Sequence, residues 1–183
     1  MIPMRRRLVL AAGATLASAL AARKLLAASD DMHALPSLKA EPGPLPPDFT
    51  FTLADGTVRT IADYAGHGVV LNLWATWCLP CIAEMPALDT MAGAVVSSGV
   101  VVLPLSSDRG GAPVVERFYK EHGTKNLPVL LDPHGAAARL LGARGIPTTL
   151  LIDAKGFERG RMEGGADWDS AATIEMIRKL ATV

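Results

Sequence analysis

The chain holds only two cysteines, and both lie in the segment Trp77-Cys78-Leu79-Pro80-Cys81. A fold stapled by several disulfides is thereby excluded, so the pair must do something else. Val69-Val70-Leu71-Asn72-Leu73-Trp74 is a buried-strand run that ends just before the cysteines. From Leu79 to about Ser97 the apolar positions Ile82, Met85, Leu88, Met91 and Val95 recur at helical spacing, with Pro86 as a kink and Gly99 as a stop. The motif therefore stands where a strand gives way to a helix. There the unpaired backbone N–H groups and the positive end of the helix dipole stabilise an anion, so Cys78 is expected to ionise more readily than an ordinary thiol. Cys81, one turn further in, is shielded. Two intervening residues let the sulfurs meet within disulfide geometry, which makes the pair a reversible dithiol.

Two other readings of the pair are weaker. Zinc needs four ligands, and His33, His67, His122 and His134 are scattered with no pairing at ligand spacing. A purely structural disulfide across two residues removes almost no chain entropy from the unfolded state and contributes little stability.

The remaining elements follow from periodicity. Phe49-Thr50-Phe51-Thr52-Leu53 alternates, Asp55-Gly56 is a turn signal and Val58 to Ile61 resumes, which together predict a hairpin. Val100 to Leu105 predicts a second buried strand, so strand, helix and strand form a parallel unit with a right-handed crossover. Pro113 to His122 reads as a helix with Val114, Val115, Phe118 and Tyr119 on its apolar side, Leu127 to Leu131 as a strand, and Gly135 to Leu141 as a short helix. Gly145-Ile146-Pro147 breaks the chain before a strand over Thr148 to Ile152. Phe157 to Met162 reads as an edge strand and Ser170 to Leu180 as a final helix. This alternation predicts an α/β sandwich around a central sheet of mixed direction. Trp74 is read as core and Trp77 as lining the exposed site, while Arg109-Gly110-Gly111 and Asp167-Trp168-Asp169 are read as loop and helix-entry features.

At the amino end, Met1 to Arg7 is cationic and Leu8 to Ala22 is apolar or small before Arg23-Lys24, the plan of a signal peptide over residues 1–28. Ala19-Leu20-Ala21 offers a small-x-small cleavage site, Leu26-Ala27-Ala28 offers a poorer one, and Arg5-Arg6-Arg7-Leu8-Val9 loosely fits a twin-arginine signal. The apolar run is short for a membrane span, yet a tilted or thinned bilayer accommodates it as a retained anchor. On either reading the rest of the chain is expected in the periplasm. Ser29 to Pro47, with Pro36, Pro42, Pro44, Pro46 and Pro47, reads as an extended spacer, which leaves residues 48–183 as the folded domain. The net charge of zero conceals an asymmetry: beyond residue 28, 13 basic residues face 18 acidic ones, net −5. A mildly acidic body without a basic tract excludes nucleic-acid binding as its function.

Asn72-Leu73-Trp74-Ala75-Thr76-Trp77-Cys78-Leu79-Pro80-Cys81, then Glu84-Met85-Pro86, then Arg144-Gly145-Ile146-Pro147-Thr148-Thr149 resemble the TlpA/ResA family of exported, thioredoxin-fold thiol-disulfide oxidoreductases. Leu103-Pro104 to Gly111 and Leu130-Leu131-Asp132-Pro133 resemble its TlpA-like branch, so the likeness covers roughly Asp48 to Leu180. The resemblance implies a thioredoxin-like fold with an N-terminal β-hairpin and a family-type insertion. It implies a cis Ile146-Pro147 peptide facing the cysteines, with the Ile146 backbone available to pair with a bound polypeptide and Trp77, Leu79 and Pro80 beside it. It also implies that Glu84 tunes the cysteines. Spacing alone puts Glu84 one turn beyond Cys81, near the sulfurs, and leaves a solvated helix residue open. Where thioredoxin has a buried aspartate this chain has Asn72, which cannot exchange a proton, so a proton acceptor for Cys81 comes from Glu84 or water.

Thiol-disulfide exchange between Cys78, Cys81 and a substrate disulfide needs no cofactor. Leu79-Pro80 supplies neither a cation nor a side-chain donor to stabilise a thiolate, which favours a reductant over an oxidant. The resemblance implies a membrane thiol reductant as electron donor and, as substrates, apocytochrome c or copper-site assembly proteins. The alternative is a thioredoxin-fold copper chaperone holding a soft ion between the thiolates, although the Sco-type pattern of three intervening residues and a distant histidine is not evident. A peroxiredoxin-type peroxidase fits less well, because the two cysteines fall one turn apart on one helix.

Overall fold

The computed structural model describes residues 43–44 and 49–182. The segment 1–28, read from the sequence as a signal peptide or anchor, and the stretch read as a spacer, apart from Gly43–Pro44, lie outside the described residues. The sheet takes eight strands: β1 (Gly43–Pro44), β2 (Thr50–Leu53), β3 (Val58–Thr60), β4 (Gly68–Trp74), β5 (Val100–Ser106), β6 (Leu130–Leu131), β7 (Thr148–Ile152) and β8 (Phe157–Glu163). Their spatial order is β1-β8-β7-β4-β5-β6-β2-β3. The pairs β4–β5 and β5–β6 are parallel and the others antiparallel, the mixed direction expected from the sequence. Among the described residues four α-helices accompany it: α1 (Leu79–Val95), α2 (Ala112–His122), α3 (Ala136–Leu140) and α4 (Ala171–Arg178).

Strand β4 is buried along its whole length because both faces of the sheet are covered. Val70 and Trp74 point into one core with Cys81, Met85, Leu88, Met91 and Val95 of α1, Val115, Phe118 and Tyr119 of α2, and Ile177 of α4. Val69, Leu71 and Leu73 point the other way, into a second core with Phe49, Phe51, Leu103, Leu105, Leu150 and Ala137 of α3. The hydrophobic run in β4, interrupted only by Asn72, follows from this two-sided burial, each large apolar side chain contributing about 1.5–3 kcal/mol. Helix α1 and its 3-10 extension (Leu79–Ser98) are long and apolar enough to cross a membrane, but their apolar stripe is spent on the first core.

Several boundaries differ from the sequence reading for identifiable reasons. The strand expected over Leu127 to Leu131 shrinks to Leu130–Leu131, since Pro128 has no N–H for a ladder and its carbonyl instead accepts from the Tyr119 hydroxyl at 3.2 Å. The final helix gives way at Lys179 to a 3-10 turn, Lys179–Ala181. Strand β8, read as an edge, is bordered over Phe157 and Glu158 by Gly43–Pro44, so two spacer residues belong to the sheet. At Gly99 the left-handed φ of 75° ends the extension of α1 as expected.

Candidate active site

Cys78 is the N-cap of α1, with Pro80 in the first helical turn behind it. Its Sγ accepts a hydrogen bond from the Cys81 N–H at 3.3 Å, and the two cysteines are joined as a disulfide with Cα atoms 5.2 Å apart. Cys78 keeps 6% exposure whereas Cys81 is sealed. The Ile146–Pro147 peptide is cis, as the resemblance implied, and the Ile146 carbonyl oxygen lies 3.6 Å from Cys78 Sγ. Cys78, Cys81, Ile146 and Pro147, 65 or more residues apart in part, thus meet at one place. Trp77 (67% exposed) and Leu79 (78% exposed) flank the disulfide as large apolar side chains open to solvent.

The loop leading into Cys78 is braced from below. Asp108, buried at the end of β5, accepts from the Thr76 N–H at 2.9 Å, the Thr76 hydroxyl at 2.7 Å and the Ser106 hydroxyl at 2.7 Å. Such charge-assisted bonds fix the backbone that presents the nucleophile.

Glu84 is buried at 5% exposure, not solvated. It falls on the same helical stripe as Cys81, Met85 and Leu88, one turn beyond Cys81. Its Oε1 accepts from Asn72 Nδ2 at 2.9 Å, and its Oε2 accepts from Trp168 Nε1 at 2.8 Å and the Ala166 N–H at 3.3 Å. Burial is the larger influence and pushes the carboxyl's pKa up; the bonds from Trp168, Asn72 and Ala166 favour the charged form and offset part of it. Asn72 also donates to Thr149 Oγ1 at 2.8 Å, while its own Oδ1 lacks a partner.

Trp168 is the residue that sequence reasoning missed. Set between two aspartates and read as a helix-entry feature, it is fully buried with its indole N–H on Glu84. No period marks it, because it comes from the connection between β8 and α4. Helical spacing put Glu84 near the sulfurs but left it open to solvent; its burial comes from the connection after β8, which closes over it.

A disulfide at a helix N-terminus beside a cis-proline, on a mixed sheet with helices on both faces, defines a thiol-disulfide oxidoreductase of the thioredoxin fold. The AhpC/TSA family model matches residues 42–159, and the chain belongs to that family, on its TlpA/ResA-like side. It is 35% identical over 118 residues to the thiol-disulfide oxidoreductase ResA of Bacillus thuringiensis subsp. konkukian, covering 64% of this chain and 67% of that one. Against ResA of Geobacillus thermodenitrificans it is 34% identical over 116 residues, 62% and 64% of the two chains. Among solved structures it is similar to the exposed lipoprotein thioredoxin Etrx1 of Streptococcus pneumoniae (31% identity, TM-score 0.59, 72% of this chain and 98% of that). It is also similar to a thioredoxin-family thiol:disulfide interchange protein of Chlorobium tepidum (26% identity, TM-score 0.62, 78% and 99%).

Proposed function

We propose that this chain is an exported reductant of protein disulfides, serving cytochrome c maturation or the assembly of copper sites. The observation that carries the reading is the setting of the dithiol: an acid, Glu84, and no cation on the first turns of α1. A strongly oxidising pair requires a reduced form that is unusually stabilised, and Leu79-Pro80 with a buried carboxyl beyond Cys81 supplies the opposite.

In this reading the Cys78 thiolate attacks one sulfur of a substrate disulfide, and the other leaves as a thiolate that takes up a proton. The substrate backbone pairs with Ile146 beside Pro147, over Trp77, Leu79 and Pro80. Cys81 then loses its proton to Glu84 and attacks Cys78 Sγ, expelling the second substrate sulfur as a thiolate that is protonated in turn, which leaves Glu84 free to ionise again. Two electrons pass from the dithiol to the substrate, whose two thiols take the proton once on Cys81 and one from solvent, and the Cys78–Cys81 disulfide remains. A membrane thiol reductant returns the pair to the dithiol. The segment at 1–28, cleaved or kept as an anchor, supports export.

Alkylation of the reduced protein at neutral pH should label Cys78 before Cys81, and Cys81→Ala should accumulate a mixed disulfide in the cell. A cytochrome c precursor or a copper-assembly protein in that adduct is the expected result; preferential labelling of Cys81 would contradict the order of attack.

A further inference from the structure

An open groove of about 490 Å3 begins at Trp77, the residue before Cys78, and runs between the loop Ser107 to Arg109 and the turn Pro133 to Gly135. Both walls are held by buried carboxylates. Asp108 ties the first loop to Thr76, at the entry to Cys78. Asp132 accepts from the Ala136 N–H at 2.8 Å and the Ala138 N–H at 3.3 Å, and its own N–H donates to the Ser106 carbonyl at 2.7 Å, which pins the second wall to β5. The groove is therefore formed before anything binds, so an occupant meets little ordering cost on the protein side.

Its rim carries charge of one sign. Arg109 is exposed and has no ion pair among the described residues, His134 belongs to the other wall, and none of the lining residues is a carboxylate. This occurs on a chain whose body beyond residue 28 is net −5. Asp108 and Asp132 lie behind the walls with their oxygens occupied by hydrogen bonds, so the permanent charge that faces the cleft is Arg109, which attracts an anionic group, and the exposed face of Trp77 supplies apolar contact beside it.

We propose that this groove receives the residues flanking the target disulfide of a substrate polypeptide and selects an acidic side chain there, with Arg109 as its partner. The proposal rests on Cys78 as the attacking thiol and adds to that reading a substrate class: disulfides with a neighbouring Asp or Glu. Because Arg109 is exposed, its effect is modest, acts largely on association and weakens with salt.

The test uses three disulfide-bonded peptides that differ only in the residue next to the cysteine, Glu, Gln or Lys. Each is reduced by the dithiol form of the wild type and of Arg109→Gln and Arg109→Glu, with every rate divided by that protein's rate on the neutral disulfide 4,4′-dithiodipyridine. At low ionic strength the wild type should prefer the Glu peptide over the Lys peptide by roughly three- to tenfold. Arg109→Gln should abolish the preference, Arg109→Glu should invert it, and 0.5 M salt should flatten all three. Equal wild-type rates, or a preference that both variants retain, would overturn the groove assignment while leaving the chemistry of the cysteines intact. Failure of the wild type to reduce even dithiodipyridine would instead overturn the reading of the site, and this proposal with it.

Discussion

Burial and hydrogen bonding act on Glu84 in opposite directions, and burial is the stronger, so its carboxyl holds a proton to higher pH than an exposed glutamate does. That is the property the proposed role of accepting the proton of the sealed Cys81 thiol requires. Glu84→Gln should slow the decay of a preformed mixed disulfide by roughly ten- to a thousandfold and flatten its pH dependence. Stability should respond with a definite sign. A carboxyl whose pKa is raised by folding contributes most below its unfolded value and loses that contribution as pH rises through the folded value. Thermal melts of wild type and Glu84→Gln across pH 4–8 should therefore move apart in favour of the variant as pH rises. Trp168→Phe keeps a ring but removes a donor that favours the carboxylate, so the Glu84 titration, followed by NMR of the side-chain carbon, should move to higher pH.

At the scale of elements, the start of β4 and the C-terminal turn are in close contact. A Cβ on Gly68 would lie 2.6 Å from Leu180 Cβ and 2.8 Å from the Leu180 carbonyl carbon, backbone that cannot yield cheaply. Gly68→Ala should destabilise the domain by about 1–3 kcal/mol in urea unfolding, with the active-site chemistry retained. What was legible at this scale was local. The cysteines, the strand before them and the helix after them share one contiguous segment, and Thr148–Ile152 emerged with its expected limits because Pro147 starts it sharply. Strand β6 was overread because apolar character hid what Pro128 does to a ladder. Trp168 was not legible as a partner of Glu84, since the bond spans 84 positions and joins α1 to an irregular connection. Asn72 was legible as a residue without proton chemistry, but its bond to Glu84 depended on how β4 and α1 pack.

For the molecule as a whole, three segments meet at the first two turns of α1: the strand that leads into it, ending at Trp74, and two from far along the chain, the cis-proline before β7 and the connection after β8 that closes over Glu84. None of the three supplies a cation to the sulfurs among the hydrogen bonds and ion pairs of the described residues, while α1 itself supplies an acid. The thiolate thus has the helix N-terminus and the Cys81 N–H to stabilise it but no cation, and the dithiol should give up its electrons more readily than a strongly oxidising pair does. Equilibration with glutathione buffers, read as the fraction of Cys78–Cys81 disulfide, tests this most directly. A reduction potential more negative than about −200 mV is the result predicted, and one near −120 mV, the range of a strong periplasmic oxidant, would contradict the account.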